Sequence, residues 1–105
     1  MPTWEAGARF LSEYGHLTPH EQEIFARTRD ECVRILRGWE LTGSHGVPHF
    51  PNRLGVKPMA SERGIFEFAW APDGRCTWQY GAARRAGMCH VVWRRIGSHR
   101  IYDDP

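Results

Sequence analysis

The sequence predicts an α+β domain in which two N-terminal helices pack on one face of a curved antiparallel β-sheet of about four strands. Residues 18–39 have the period of an amphipathic helix with a strong start signal. Residues 65–70 and 75–80 alternate in polarity around a Pro72-Asp73-Gly74 turn. A last clear strand, 89–96, follows with no helical stretch in between. The 105 residues make one domain, 1–105, with a single modest core, and a 41% hydrophobic content with five tryptophans makes that core aromatic-rich.

Residues 5–14 read as a short helix, with Phe10, Leu11 and Tyr14 on one face, interrupted by Gly15. The second helix opens at Thr18-Pro19-His20-Glu21: Thr18 caps, Pro19 suits the first helical position, and Glu21 returns the capping-box bond. Phe25, Cys32, Leu36 and Trp39 form its apolar stripe, and Glu23, Arg27, Asp30, Arg34 and Arg37 its solvated face. Residues 42–52 hold Gly43, Gly46, Pro48 and Pro51 and read as a loop, and 54–58 is a short strand ended by Pro58.

In the hairpin, a three-residue loop with Gly74 in a bulge at positive φ sets Trp70 beside Cys76, Phe68 beside Trp78 and Phe66 beside Tyr80. One face is then apolar. The other gathers Glu67, Arg75, Thr77 and Gln79, the pattern of an ordinary wet face. Residues 81–87 read as a small basic loop with Arg84 and Arg85. In the last strand Cys89, Val91 and Trp93 face inward, and His90, Val92 and Arg94 face the polar side. The alternation fades at Arg95-Ile96, so either Arg94 or Arg95 can face a site.

A formal charge of +2 excludes a generally basic nucleic-acid binder and leaves anion binding to local clusters of the 14 Lys and Arg. No apolar run approaches the roughly 20 residues of a membrane span, and residues 1–5 show no signal pattern, so a cytoplasmic protein is expected. Cys32, Cys76 and Cys89 are odd in number without CxxC spacing, and read as small buried residues. His16-x3-His20 and His45-x3-His49 have ligand-like spacing, but a helix start and Gly46 with Pro48 deny them a shared helical face. No metal or other cofactor is expected. The chain closes on a strand, a turn at Gly97, and then His99, Arg100 and Tyr102, a set suited to holding a phosphodiester and moving a proton. Solvated chain ends carry the same residue types without any function.

The element order resembles that of the RelE/ParE superfamily of bacterial toxins, and so do three segments. These are Gly55-Val56-Lys57-Pro58-Met59, Asp73-Gly74-Arg75-Cys76-Thr77-Trp78-Gln79-Tyr80, and Arg95-Ile96-Gly97-Ser98-His99-Arg100-Ile101-Tyr102. The resemblance runs from about Phe10 to Tyr102. It implies the toxin of a type II toxin–antitoxin pair, with a cognate antitoxin as partner. Ribonuclease members cut mRNA on the ribosome with the RNA's own 2′-hydroxyl and without a metal, so mRNA and ribosome become further partners.

Carried over, Arg75 and Arg95 are phosphate clamps, Lys57 a further cation or proton mover, His99 the general acid, and Tyr102 a stacking or orienting group. Arg84, Arg85, Arg94 and Arg100 are candidate RNA contacts. Glu67 stands where many family members have an arginine. It either pairs with Arg75 across the hairpin or serves as the general base. Two other readings stand beside the nuclease: a ParE-like toxin that inhibits a topoisomerase by protein binding, and a non-catalytic RelE-like domain.

Overall fold

The computed structural model describes residues 2–43 and 46–105. His45, the first member of the second histidine pair, lies outside them. Five strands form one mixed sheet in the order β1-β5-β4-β3-β2: β1 is Thr3–Ala6, β2 Lys57–Pro58, β3 Phe66–Ala69, β4 Arg75–Arg85 and β5 Met88–Gly97. Strands β2 to β5 are antiparallel, as expected.

The fifth strand corrects the sequence reading. Residues 3–6 run parallel to β5, with Trp4 opposite Val91 and Ala6 opposite Trp93, and the helix begins only at Ala8. The open edge of β5 supplies hydrogen-bond partners that a solitary N-terminal helical turn lacks, and the Gly7 N–H extends the pairing to the Trp93 carbonyl at 3.0 Å. α1 (Ala8–Gly15) and α2 (Pro19–Leu41) then cover one face of the sheet. α2 starts with the full capping box: the Glu21 N–H donates to Thr18 Oγ1 at 3.1 Å, and the Thr18 N–H to Glu21 Oε1 at 2.9 Å. Phe25, Cys32 and Leu36 are buried along its stripe, while Glu23, Arg27, Asp30, Arg34 and Arg37 are all exposed.

Phe25 sits at the centre of the core, in ring contact with Phe10 and Tyr14 of α1, Phe68 and Trp70 of the hairpin, and Trp93 of β5. Burying such a ring contributes about 1.5–3 kcal/mol, which explains why one short helix pair suffices to cover the sheet. Cys32 and Cys76 are buried and Cys89 is half-buried.

The β3–β4 hairpin keeps the expected faces in a different register. Phe68 pairs with Cys76 and Phe66 with Trp78, two residues away from the expected pairing. An even shift moves no side chain to the other face, so Trp70 and Trp78 both remain in the core. Gly74 has no positive φ. It is required for space: a Cβ there would lie 2.6 Å from Trp70 Cε2 and 2.7 Å from Cδ2. The Trp70 Nε1–H donates to the Arg75 carbonyl at 3.0 Å, which fixes the indole over the turn.

Residues 81–87 are not a loop. β4 continues to Arg85 and turns at Ala86-Gly87, with Gly87 at φ 74. Gly81 is a packing glycine, since a Cβ there would lie 2.8 Å from His90 Cδ2. His90 is on the expected face yet buried, its Nδ1 2.8 Å from Thr3 Oγ1 and its Nε2 3.3 Å from Glu5 Oε1 without hydrogen-bond alignment. The faded alternation in β5 is a bulge: Trp78 pairs with Trp93 but Thr77 with Arg95, leaving Arg94 as the extra residue. Beyond β5, a C-terminal 3-10 helix, His99–Asp103, returns over the polar sheet face and buries Ile101 and Thr77. That face is therefore partly covered and not wholly wet.

Candidate functional site

The alternation that sends Phe66 and Phe68 toward the helices sends Glu67 to the opposite face, where Lys57 is its cross-strand partner. The Lys57 ammonium lies 3.5 Å from the Glu67 carboxylate, which is 12% exposed against 68% for the lysine. The expected Glu67–Arg75 pair across the hairpin does not form, because the register sets Arg75 opposite Ala69. Arg75 instead folds over its own turn, with Nη1 donating to the carbonyls of Gly74 (2.8 Å), Ala71 (3.2 Å) and Pro72 (3.3 Å). These neutral acceptors fix the guanidinium without pairing it to a carboxylate, with Asp73 near enough to feel its charge.

Tyr102 joins the two. Burial first, then the nearby Glu67 carboxylate, raise its pKa above the ordinary phenol value, with Arg75 acting in the opposite direction. The phenol thus stays a neutral donor through the physiological range. His99 packs edge-on against Tyr102 at 5.5 Å, and its Nδ1 makes a short hydrogen bond to the Asp73 carboxylate. That bond is the leading cause that holds the Asp73 carboxyl below its ordinary pKa. With Nδ1 committed to Asp73, Nε2 is the ring nitrogen left for a ligand, and half of the His99 side chain is open to solvent.

Lys57, Glu67, Asp73, Arg75, His99 and Tyr102 therefore form one connected polar cluster where β2, β3, the hairpin turn and the C-terminal 3-10 helix meet. Asp73 was not singled out by sequence, where the Pro-Asp-Gly context reads as turn chemistry alone; its spacing from His99 in the chain gives no signal.

The other cations lie elsewhere. Arg95 donates to Glu13 on α1 at 2.7 and 3.1 Å and to the Asp104 carbonyl at 2.9 Å, with only 15% of its side chain exposed. Arg94 donates to Gln79 Oε1 at 2.6 Å on the polar face and to the Pro105 carbonyl at 3.0 Å. Arg94 bonds Gln79 on the polar face, whereas Arg95, opposite Thr77 in the register, turns its side chain to tie β5 to α1. Arg84, 3.4 Å from Glu5, and the exposed Arg85 sit at the β4–β5 tip, roughly 30 Å along the strand from Arg75 by strand rise. Arg100 is exposed beside the cluster. Among the described residues no three His, Cys, Asp or Glu side chains are grouped to hold a metal ion, and no helix is long and apolar enough to cross a membrane.

No family model and no curated protein matches the sequence. Solved structures do match in shape. YafQ from E. coli strain BL21(DE3) aligns over 97% of this chain and 98% of its own at 13% identity, with a TM-score of 0.53. The RelE toxin structure from Methanococcus jannaschii, a RelB–RelE antitoxin–toxin complex, aligns over 95% and 98% at 13% identity and a TM-score of 0.57. A YoeB/ParE toxin from Agrobacterium tumefaciens aligns over 92% and 98% at 11% identity and 0.52. At such identities the likeness is one of fold, and the fold is that of the RelE-like toxins.

Proposed function

We propose that this chain, which carries the RelE-like toxin fold, is the toxin of a type II toxin–antitoxin pair and acts as a ribosome-dependent mRNA endoribonuclease. The observation that carries the reading is the cluster itself. A histidine oriented by a carboxylate, an arginine bonded to backbone carbonyls, a lysine, a covered glutamate and a phenol lie together on one partly open face.

Cleavage by the RNA's own 2′-hydroxyl needs a base, cations at phosphorus and an acid. Glu67 takes the 2′-OH proton. The 2′-oxygen then bonds to phosphorus, Arg75 and Lys57 stabilise the added negative charge, and the bond to the 5′-oxygen breaks as His99 donates a proton to it. The products are a 2′,3′-cyclic phosphate and a 5′-hydroxyl, so atoms and charge balance without a metal. Asp73 is a positioning residue that holds the imidazole, and Tyr102 orients the Glu67 carboxylate. Arg95 contributes through the fold, by its pair with Glu13. A partner antitoxin is part of the same reading, by likeness to structures solved as toxin–antitoxin complexes.

Induction of the chain in a bacterial host tests it. The expected result is growth arrest with new 5′ ends inside translated reading frames, lost in His99→Gln. Arrest with intact mRNA and trapped topoisomerase–DNA complexes would replace the nuclease with a ParE-like action.

A further inference from the structure

A cleft of about 400 Å3 opens beside the cluster between α2, the 3-10 turn Asn52–Leu54 and the β3–β4 turn. Thr28, Arg53, Leu54, Ala69, Pro72 and Arg75 line it. Its size is that of a small-molecule pocket. The lining carries Arg75, bonded to neutral carbonyls, and Arg53, paired with Glu31 just outside the cleft, so its net field is positive and favours an anion.

Both arginines are pre-oriented. Arg75 is fixed by three turn carbonyls and is the residue that the cleft shares with the cluster. Arg53 is held from behind by Glu31, with Nη1 donating to Oε2 at 2.9 Å and Nη2 to Oε1. Glu31 is mostly covered, at 23% exposure, whereas Arg53 is 65% exposed. A guanidinium has five N–H donors; with two given to Glu31, three remain for a ligand. The exposed Pro72 ring offers an apolar face at the mouth, and the indole beneath it is locked by its bond to the Arg75 carbonyl.

We propose that this cleft is a subsite for the nucleotide adjoining the one at the Lys57–Glu67–His99 cluster, with Arg53 on its phosphate and Pro72 against its base. The proposal rests on the RNA reading above. Its distinctive consequence is that Arg53 acts only on substrates long enough to reach the cleft, and that Glu31 competes with the RNA phosphate for Arg53. A merely structural Arg53–Glu31 pair would make both substitutions act alike.

The experiment measures binding of oligoribonucleotides of two, three and four residues, with 2′-deoxy sugars to block cleavage, by fluorescence anisotropy at several salt concentrations. For wild type, one added length step strengthens binding about five- to tenfold, the effect of one charged phosphate contact. Arg53→Gln removes that gain, leaves the shortest oligonucleotide unaffected and lowers the salt slope by about one for the longer ones. Glu31→Gln enlarges the gain. Thermal melts of both variants check that they fold. A length gain that persists in Arg53→Gln, or a loss uniform across lengths, overturns the subsite while leaving the RNA reading intact. Failure of wild type to gain affinity with length, or to bind any of the three oligonucleotides, overturns the subsite, whereas the RNA reading stands or falls on cleavage of mRNA on the ribosome.

Discussion

Gly74→Ala separates a glycine kept for space from a glycine kept for its backbone. The added Cβ would lie 2.6 Å and 2.7 Å from the Trp70 indole and 2.9 Å from the Ala71 Cβ, all inside van der Waals contact. The indole cannot yield freely, because its Nε1 is bonded to the Arg75 carbonyl and its ring abuts Phe25. Overpacking of this kind costs about 1–3 kcal/mol, and displacing the indole leaves a buried N–H unmet at about 1–3 kcal/mol more. The alanine restricts the unfolded chain and returns about 0.4–1 kcal/mol, since Gly74 has no positive φ. The net expectation is a loss of about 2–4 kcal/mol, or roughly 10–20 °C in Tm for a domain of this size. Urea titration followed by tryptophan fluorescence measures it, with Gly15→Ala as the control, where nothing lies within 4 Å of the added methyl. Gly74→Ala within about 0.5 kcal/mol of wild type would refute the packing argument. The same substitution displaces the carbonyls that hold Arg75, so the site should weaken with the fold.

The Glu13–Arg95 pair is mostly covered, so Glu13→Ala and Arg95→Ala should each cost about 1–3 kcal/mol, with a coupling above about 1 kcal/mol in a double-mutant cycle. Loss of activity in Arg95→Ala at unchanged stability would instead return Arg95 to the site. Asp73 has a depressed pKa in the fold, so its contribution is present above its ordinary value of 3.8 and disappears as pH falls through the folded pKa. The stability difference between wild type and Asp73→Asn should accordingly be present at about pH 5 and shrink as the solution is acidified from there; a difference that grew on acidification would have the wrong sign. Burial pushes the Cys89 thiol to about 11 and Cys32 to about 12, and raises Cys76 well above the ordinary thiol range. At pH 8 only about one Cys89 thiolate in a thousand is present, so a thiol reagent should label native protein slowly, Cys89 first, and the urea-unfolded chain quickly. A fast full equivalent from native protein would contradict that.

What was legible in the sequence was local. The Thr18 capping box, the stripe of α2 and the two-faced hairpin depend on neighbours a few residues apart, and polarity alone fixes which face Glu67 and Phe68 take. What was hidden depended on distant partners. Residues 3–6 become a strand only because β5 offers an edge 87 positions away from each of them. Gly81 has the context of a loop glycine but is required by the His90 ring above it, and Gly74 that of a turn glycine but is required by the Trp70 indole. The site divides in the same way. Lys57, Glu67, Arg75, His99 and Tyr102 do converge, but Arg95 is taken by Glu13, and Asp73 enters through a bond to a residue 26 positions on.

Translation-dependent cleavage in a reconstituted ribosome system puts the central claim to its most direct test. Wild type and His99→Gln are compared at matched ribosome occupancy, with the 5′ ends of the mRNA mapped. Glutamine keeps the size and hydrogen bonding of the imidazole but has no proton to transfer, so cleavage should fall by roughly two to four orders of magnitude while occupancy holds. Equal cleavage by the two proteins would contradict the role of His99, and intact mRNA with wild type on the ribosome would contradict the nuclease reading itself.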